Sequence, residues 1–252
     1  MSEFKGLSET PDTWPKSLFH VALLFSTYQI ITAAFHPVST QVLRAGHVGF
    51  LLLMVFLSYP ARGSQRPWQP LAWVLGLAGM ATAIYQWYFE GDLIQRSGDL
   101  TQADMVVGVV LTVLVFEAAR RVMGPALPII CGLFLAYGLF GQYLPGDLRH
   151  RGYGFDQVIN QLAFGTEGFY GTPTYVSATY IYLFILFGAF LEQAGMIRLF
   201  TDFAMGLFGH RMGGPAKVSV VSSALMGTIT GSGVANVVTT GQFTIPLMKR
   251  FG

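Results

Sequence analysis

The stretch KVSVVSSALMGTITGSGVANVVTTGQFTIPLMKR, residues 217–250, restricts the fold of this chain more than any other part. It begins at Lys217, ends at Lys249 and Arg250, and has no charged side chain in between. It is still a poor lipid-facing helix, because it is rich in serine, threonine and glycine, and each glycine costs about 1 kcal/mol relative to alanine inside a helix. Irregular backbone at membrane depth survives only inside protein or beside a water-filled cavity. The stretch therefore predicts a re-entrant helical hairpin.

The predicted hairpin has one arm over residues 218–229, a tip over residues 230–236 and a return arm to Thr244 that Pro246 ends. The basic residues at both ends place both ends on one side of the membrane. In transporters, the tips of such broken helices bind small cations and carboxylates near the middle of the bilayer. The candidate ion- and substrate-binding residues are Gly231, Ser232, Gly233 and Asn236, with Thr239 and Thr240 in second place.

The predicted tip offers carbonyl, hydroxyl and amide oxygens but no carboxylate. Hard cations prefer oxygen ligands, and a neutral ligand set suits Na⁺ better than Ca²⁺ or Mg²⁺, so Ser232 and Asn236 are the candidate Na⁺ ligands. Two alternatives stay open. Gly227 and Gly231 also fit a small-residue helix-packing face, and the two threonines can bond to their own helix.

The composition is that of a membrane protein. Of the 252 residues, 52% are hydrophobic and 11% are charged, whereas a soluble domain carries about 25% charged residues. The formal net charge is only +2, and the basic residues form no patch suited to nucleic acid. Cys131 is the single cysteine, which excludes an intramolecular disulfide. No nucleophile with a partner base and no phosphate-binding loop occurs, so an enzyme is not predicted.

Six apolar runs are long enough to cross a hydrocarbon core of about 30 Å. They are residues 17–35, 45–61, 71–89, 103–119, 126–144 and 175–191. The run over residues 196–208 is too short to cross and contains Arg198 and Asp202, so it predicts an interfacial or connecting helix. The fold class predicted is thus all-α, with about six transmembrane helices, one interfacial helix and the re-entrant hairpin.

The basic residues also predict the orientation, because cytoplasmic loops carry an excess of lysine and arginine. A cytoplasmic amino terminus places most of them inside, including Lys5, Lys16, Arg62, Arg66, Arg120, Arg121, Arg198, Arg211, Lys217, Lys249 and Arg250. The outer loops then hold Arg44, Arg96, Arg149 and Arg151. The hairpin is predicted to enter from the cytoplasmic side.

Few charged or titratable residues lie within the apolar runs. Glu117 with Arg120 and Arg121 has helical spacing and predicts an ion pair at the membrane interface. Asp202 could be an intramembrane acid, which would suggest a functional role, but its segment is too short to span and an interfacial position is favoured. His20 and His47 are expected to be hydrogen-bonded helix residues.

Two segments carry a family resemblance. GTITGSGVANVVTTGQFTIPLMKR resembles the first hairpin of the large membrane subunit of TRAP (tripartite ATP-independent periplasmic) transporters, and GFYGTPTYVSATYIYLFILFGAFLEQAG resembles the same family. The two segments are most similar in sequence to the TAXI-type branch, in which the small and large subunits are fused in one chain. The resemblance covers at least residues 124–252.

The resemblance implies a division of the chain and a function. Residues 1–123 would be a small-subunit-like four-helix membrane scaffold, and residues 124–252 the N-terminal part of the large permease subunit, ending after the hairpin at 217–250. The intact system would be a bacterial inner-membrane permease, multi-pass, that imports a small organic acid with Na⁺. Its partners would be a periplasmic substrate-binding protein, the remaining C-terminal part of the permease and the lipid bilayer. Na⁺ would be the coupling ion, with no other cofactor.

Family permeases continue well beyond this point with a second hairpin, so we expect an incomplete chain that does not transport by itself. A passive channel or other pore subunit with a re-entrant segment is the alternative function. A channel normally needs a repeated or oligomeric filter, and one hairpin of serine, threonine and glycine is weak support for it.

Overall fold

The computed structural model describes residues 16–59, 69–96, 98–229 and 233–251. Within these ranges the chain is α-helical and contains no β-strand, as the sequence predicts. Among the segments outside the described residues are the amino-terminal segment 1–15, the loop 60–68 and the centre of the predicted tip, 230–232.

Twelve α-helices follow one another in the described ranges. They are α1 (Lys16–Phe35), α2 (Thr40–Ser58), α3 (Gln69–Tyr88), α4 (Glu90–Gln95), α5 (Gln102–Met123), α6 (Ala126–Phe140), α7 (Phe155–Ile159), α8 (Thr172–Val176), α9 (Tyr182–Gln193), α10 (Met196–Phe208), α11 (Gly214–Gly227) and α12 (Gly233–Phe251). A π-helical turn, Asn160–Phe164, extends α7. A second π-helical turn, Ser177–Ile181, joins α8 to α9.

Four helices in these ranges are both long and apolar enough to cross a membrane. They are Ser17–Phe35, Thr40–Ser58, Ala126–Tyr143 and Thr172–Gln193. They correspond to the first, second, fifth and sixth predicted spans. The third and fourth spans form helices of 20 and 22 residues, but α5 carries Asp104, Glu117, Arg120 and Arg121, which lower its suitability as a span.

Contacts divide the chain into two units, one up to Thr179 and one from Tyr180. The core of the first unit is built mainly from α2, α3 and α5, with buried leucine, alanine and aromatic side chains such as Leu111, Phe56 and Tyr170. Helices α2 and α3 approach closely through glycines, since a Cβ at Gly79 would lie 2.8 Å from Leu52 Cβ. Small residues permit this kind of close packing between membrane helices.

Helix α5 begins at a capping box. The Thr101 hydroxyl accepts from the Asp104 amide at 3.3 Å, and the Asp104 carboxylate accepts from the Thr101 amide at 2.9 Å. Tyr85 of α3 donates to the same carboxylate at 2.6 Å, and Arg96 lies 3.3 Å from it. Asp104 is completely buried, so these donors replace its lost hydration.

The second unit consists of α9 to α12, and α11 packs against both α10 and α12. Helix α10 covers the same residues as the predicted short helix. Helix α11 begins four residues before the predicted arm, at Gly214 after Gly213 with φ +70°, and Pro215 stands in its first turn. Proline is favoured there because its missing N–H would be unpaired anyway.

The predicted end of the return arm at Pro246 is wrong. Helix α12 continues through Pro246 to Phe251. A proline inside a helix removes one hydrogen bond and tends to kink the helix, but membrane helices tolerate it because neighbouring groups re-satisfy the backbone.

Two other boundaries also differ. Helix α2 begins at Thr40, where Ser39 caps it by accepting from the Val42 amide at 3.2 Å, so Arg44 lies inside the helix rather than in a loop. The helical run of the sixth span starts at Thr172.

Candidate functional site: the α11–α12 hairpin

The candidate site lies where α11 ends and α12 begins. Helix α11 ends at Gly227 and α12 begins at Gly233, and the two helices pack against each other as a helical hairpin. Gly231 and Ser232 of the predicted site lie outside the described residues, while Gly233 is the first residue of α12. The carboxyl end of α11 and the amino end of α12 are therefore neighbours.

Asn236 joins the two arms. Its Nδ2 donates to Ser223 O at 3.0 Å and to Ser223 Oγ at 3.1 Å. A Cβ at Gly227 would lie 3.4 Å from the same Nδ2, so the absence of a side chain at residue 227 gives the amide room. Because the amide nitrogen is a donor here, this side chain could ligand a cation only through Oδ1.

Two threonines of α12, Thr240 and Thr244, bond to their own helix. Thr240 Oγ1 donates to Asn236 O at 2.6 Å, and Thr244 Oγ1 donates to Thr240 O at 2.9 Å. Both residues are buried, at 4% and 3% exposure. The alternative expectation of a local bond is therefore confirmed for Thr240, whereas the side chain of Thr239 lies outside the described residues.

A further contact attaches the hairpin to α10. Thr201 Oγ1 lies 2.8 Å from Ile197 O and 3.1 Å from Ser222 Oγ. A hydroxyl has one proton, so if Thr201 donates to the carbonyl, Ser222 donates to Thr201. Ser222 is 1% exposed. The sequence alone assigned no role to Ser222 or Ser223.

The electrostatics of the hairpin come from the backbone. Helix amino ends carry a partial positive charge and carboxyl ends a partial negative charge. The end of α11 thus favours a cation and the start of α12 favours a carboxylate. No charged side chain occurs between Lys217 and Lys249, so these backbone charges are not offset within the hairpin sequence.

Comparison with known families decides the class of protein. The profile of the family described as "Tripartite ATP-independent periplasmic transporter, DctM component" matches residues 110–252. The chain belongs to this TRAP transporter family. It is therefore a multi-pass membrane protein and a component of a transporter permease.

The relatives of this TRAP permease chain include proteins of three bacteria. It is 38% identical over 69 residues to the C4-dicarboxylate TRAP transporter large permease protein DctM of Pseudomonas aeruginosa. It is 36% identical over 69 residues to the protein of the same description from Rhodobacter capsulatus. It is 30% identical over 66 residues to the 2,3-diketo-L-gulonate TRAP transporter large permease protein YiaN of Escherichia coli.

These alignments cover 26% or 27% of the TRAP permease chain and 16% of each relative. The chain thus matches about a sixth of the length of each of these relatives. No solved structure matches it significantly.

A second cluster of polar side chains lies in the first unit of the TRAP permease chain. The sequence alone did not predict it. Three side chains of α2 bind the segment that leads into α9. Gln41 Nε2 donates to Phe164 O at 3.2 Å, Arg44 Nη1 donates to Tyr170 O at 2.6 Å, and His47 Nε2 lies 3.0 Å from Ser177 Oγ. The sequence signal is a polar residue every third position, since residues 41, 44 and 47 share one helix face.

Arg44 and His47 have further partners in this cluster. The Arg44 guanidinium also lies 4.9 Å from the centre of the Tyr175 ring, a distance typical of a cation–π contact. His47 bonds through Nδ1 to Gln29 of α1, and both residues are 1% exposed. The expectation that His47 is a hydrogen-bonded helix residue is confirmed. Burial raises the pKa of the Tyr170 phenol above its ordinary value.

The remaining candidates make ion pairs within their own helices. Glu117 binds Arg120 and Arg121, each at 2.7 Å, and Arg121 also lies over the Phe56 ring at 4.9 Å. The predicted ion pair is therefore confirmed. Asp202 is 71% exposed and lies 3.8 Å from Arg198 on α10, rather than in a buried polar site.

Proposed function

We propose that this chain forms part of a Na⁺-coupled permease that imports a small organic acid delivered by a periplasmic solute-binding protein. The observation that carries the proposal is the α11–α12 hairpin, whose facing helix ends can serve a cation and a carboxylate together. The named substrates of the relatives, C4-dicarboxylates and 2,3-diketo-L-gulonate, support a carboxylate as the transported group.

The proposed topology has six membrane spans and a re-entrant hairpin in the bacterial inner membrane, with the amino terminus in the cytoplasm. It counts α3 and α5 as spans, because helices of 20 and 22 residues are long enough. The excess of basic residues in alternate loops supports the orientation. The hairpin then enters from the cytoplasmic side.

Two parts of the chain are proposed to have different tasks. Residues 1–123 would act as a static small-subunit-like scaffold, and residues 124–252 would begin the large subunit. The hairpin would begin the part that carries the substrate across. The proposed Na⁺ ligands are Ser232 and Asn236, with main-chain oxygens near Gly231 and Gly233, and Thr239 and Thr240 in supporting positions.

Ion coupling supplies enough free energy for such a transporter. A membrane potential of 100 mV provides about 2.3 kcal/mol per charge, and a tenfold Na⁺ gradient adds about 1.4 kcal/mol. One Na⁺ per cycle could then sustain an accumulation of several hundredfold for a neutral substrate, at about 1.4 kcal/mol per factor of ten. An anionic substrate reduces the electrical share of this free energy.

The test is a Na⁺ titration of substrate uptake in proteoliposomes that contain the permease with this sequence and its binding protein. Ser232→Ala and Asn236→Leu each remove an oxygen ligand, so each is expected to raise the Na⁺ concentration for half-maximal uptake. Thr228→Ala is a matched control, because the Thr228 hydroxyl bonds to Leu225 O of its own helix at 2.6 Å.

Unchanged Na⁺ dependence in both variants, at equal protein level, would remove these side chains from the ion site. Uptake that ignores Na⁺ would contradict the coupling itself. Flux that neither saturates nor needs the binding protein would instead support a passive channel.

A further inference from the structure

A cavity of about 580 Å³ opens beside α6 in the first unit. One wall is Leu135 of α6, and the other walls come from residues 151–153 and from α7 with its π-helical turn. Cavities of about 300–1,000 Å³ are typical of sites for small molecules. The size alone therefore fits a small ligand.

The polar groups on the walls are mostly hydrogen-bond donors. The cavity is lined by a guanidinium, a phenol and three amides, those of Arg151, Tyr153, Gln157, Asn160 and Gln161. Within residues 98–229, which the structure describes without a gap, the side chains of Arg151, Tyr153, Asn160 and Gln161 make no hydrogen bond or ion pair. Gln157 uses its Oε1, which accepts from the Gly154 amide at 3.3 Å. Its Nε2 protons remain as donors.

The three amides share one face of a rigidly packed helix. Residues 157, 160 and 161 have the spacing i, i+3 and i+4, which places them side by side. The opposite face of the helix packs into the core, where Ile159 is 3% exposed and Ala163 is fully buried. A Cβ at Gly108 of α5 would lie only 2.5 Å from Ile159 Cγ2. The backbone that carries the three amides is therefore fixed before any ligand arrives, which lowers the entropy cost of binding.

We propose that this cavity is a second ligand site, which binds a small carboxylic acid carrying further oxygen atoms. The Arg151 guanidinium pairs with the carboxylate, since its planar donors match the two carboxylate oxygens. The amides of Gln157, Asn160 and Gln161 bind hydroxyl, keto or second carboxylate groups. The π-helical turn supports this reading, because such turns occur frequently at functional sites. The choice of an acid agrees with the proposed function, but the site does not depend on the hairpin.

The test measures the binding of succinate to the purified chain in detergent by saturation-transfer NMR. Wild-type protein should bind succinate, and the uncharged analogue succinamide should compete poorly. Arg151→Gln should weaken succinate binding about tenfold or more, because a hydrogen-bonded charge is lost. Arg149→Gln is the matched control, since Arg149 is an exposed arginine two residues away that does not line the cavity. It should bind like wild type.

Three results would overturn the proposal. The first is that wild-type protein fails to bind succinate in the assay, and the second is that Arg151→Gln and Arg149→Gln weaken succinate binding equally. A phospholipid that copurifies in the cavity and is not displaced by succinate would also overturn it. Far-ultraviolet circular dichroism of each variant checks the fold, and Asn160→Ala offers a second variant that keeps the charge. Failure here leaves Na⁺-dependent uptake unaffected, so it is distinguishable from failure of the proposed function.

Discussion

Asn236 shows how one side chain can connect the two arms of a helical hairpin. Its two amide protons both go to Ser223 on the opposite arm, one to the carbonyl and one to the hydroxyl. In a hydrocarbon environment water cannot replace such partners. The residue thus has a structural task that is separable from any role in ion binding.

We predict that Asn236→Ala destabilises the chain by about 1–3 kcal/mol, since two hydrogen bonds of about 0.5–1.5 kcal/mol each are lost. The measurement is thermal or denaturant unfolding of the purified chain in detergent. Thr228→Ala is the control, because its hydroxyl bonds only within the last turn of α11. Equal stability of the Asn236 variant and wild type would show that the bridge to Ser223 contributes nothing.

At the scale of elements, glycines decide how closely helices approach. Gly108 of α5 faces the α7 segment, where a Cβ would lie 2.5 Å from Ile159, 3.1 Å from Phe164 and 3.3 Å from Ala163. A Cβ at Gly132 of α6, in contrast, would have one neighbouring atom, on Phe116, at 4.0 Å. Both glycines lie inside helices, so they differ in packing rather than in secondary structure.

Replacing each glycine by alanine should therefore have opposite effects. Gly132→Ala should stabilise the chain by up to about 1 kcal/mol through helix propensity. Gly108→Ala gains the same propensity but overpacks the interface at a cost of about 1–3 kcal/mol, so its net effect should be destabilising. Unfolding of the two variants side by side measures this. A Gly108 variant as stable as the Gly132 variant would contradict the close α5–α7 packing.

At the scale of the whole molecule, orientation in the membrane rests on the distribution of basic residues. The bias is clear in most loops, and Arg149 and Arg151 in a loop predicted to lie outside weaken it. Since Arg44 lies within α2 and binds Tyr170 O, it no longer counts as a free loop charge. Without Arg44 among the outer-loop charges, the excess of basic residues in the predicted cytoplasmic loops is larger, which favours a cytoplasmic amino terminus.

Cysteine labelling tests this orientation in a background where Cys131→Ser removes the one native thiol. Asp92→Cys, in the exposed part of α4, should react with a membrane-impermeant maleimide in intact cells. Met212→Cys, at a position that is 94% exposed, should react only after the membrane is permeabilised. The reverse pattern would invert the topology.

The sequence by itself determined the class and much of the helix pattern. Low charge and long apolar runs require a membrane protein, because charged side chains are costly in hydrocarbon. The short apolar run over residues 196–208, with Arg198 and Asp202, predicted a helix with the bounds that α10 has. In the structure Gly195 precedes it with φ +89°. The charge-free stretch with repeated glycines predicted a hairpin because local composition alone makes a straight lipid-facing helix unfavourable.

Only the tertiary structure decided what the polar residues inside these helices bind. Arg44 pairs with a carbonyl 126 residues away, and every residue type has such a carbonyl, so no sequence pattern marks the partner. The same holds for the Asn236 side chain, whose bond to Ser223 on the other arm depends on how the two arms pack. Pro246 stays inside α12 although its local preference is to end a helix, because neighbouring groups can satisfy the freed backbone only once the helices are assembled.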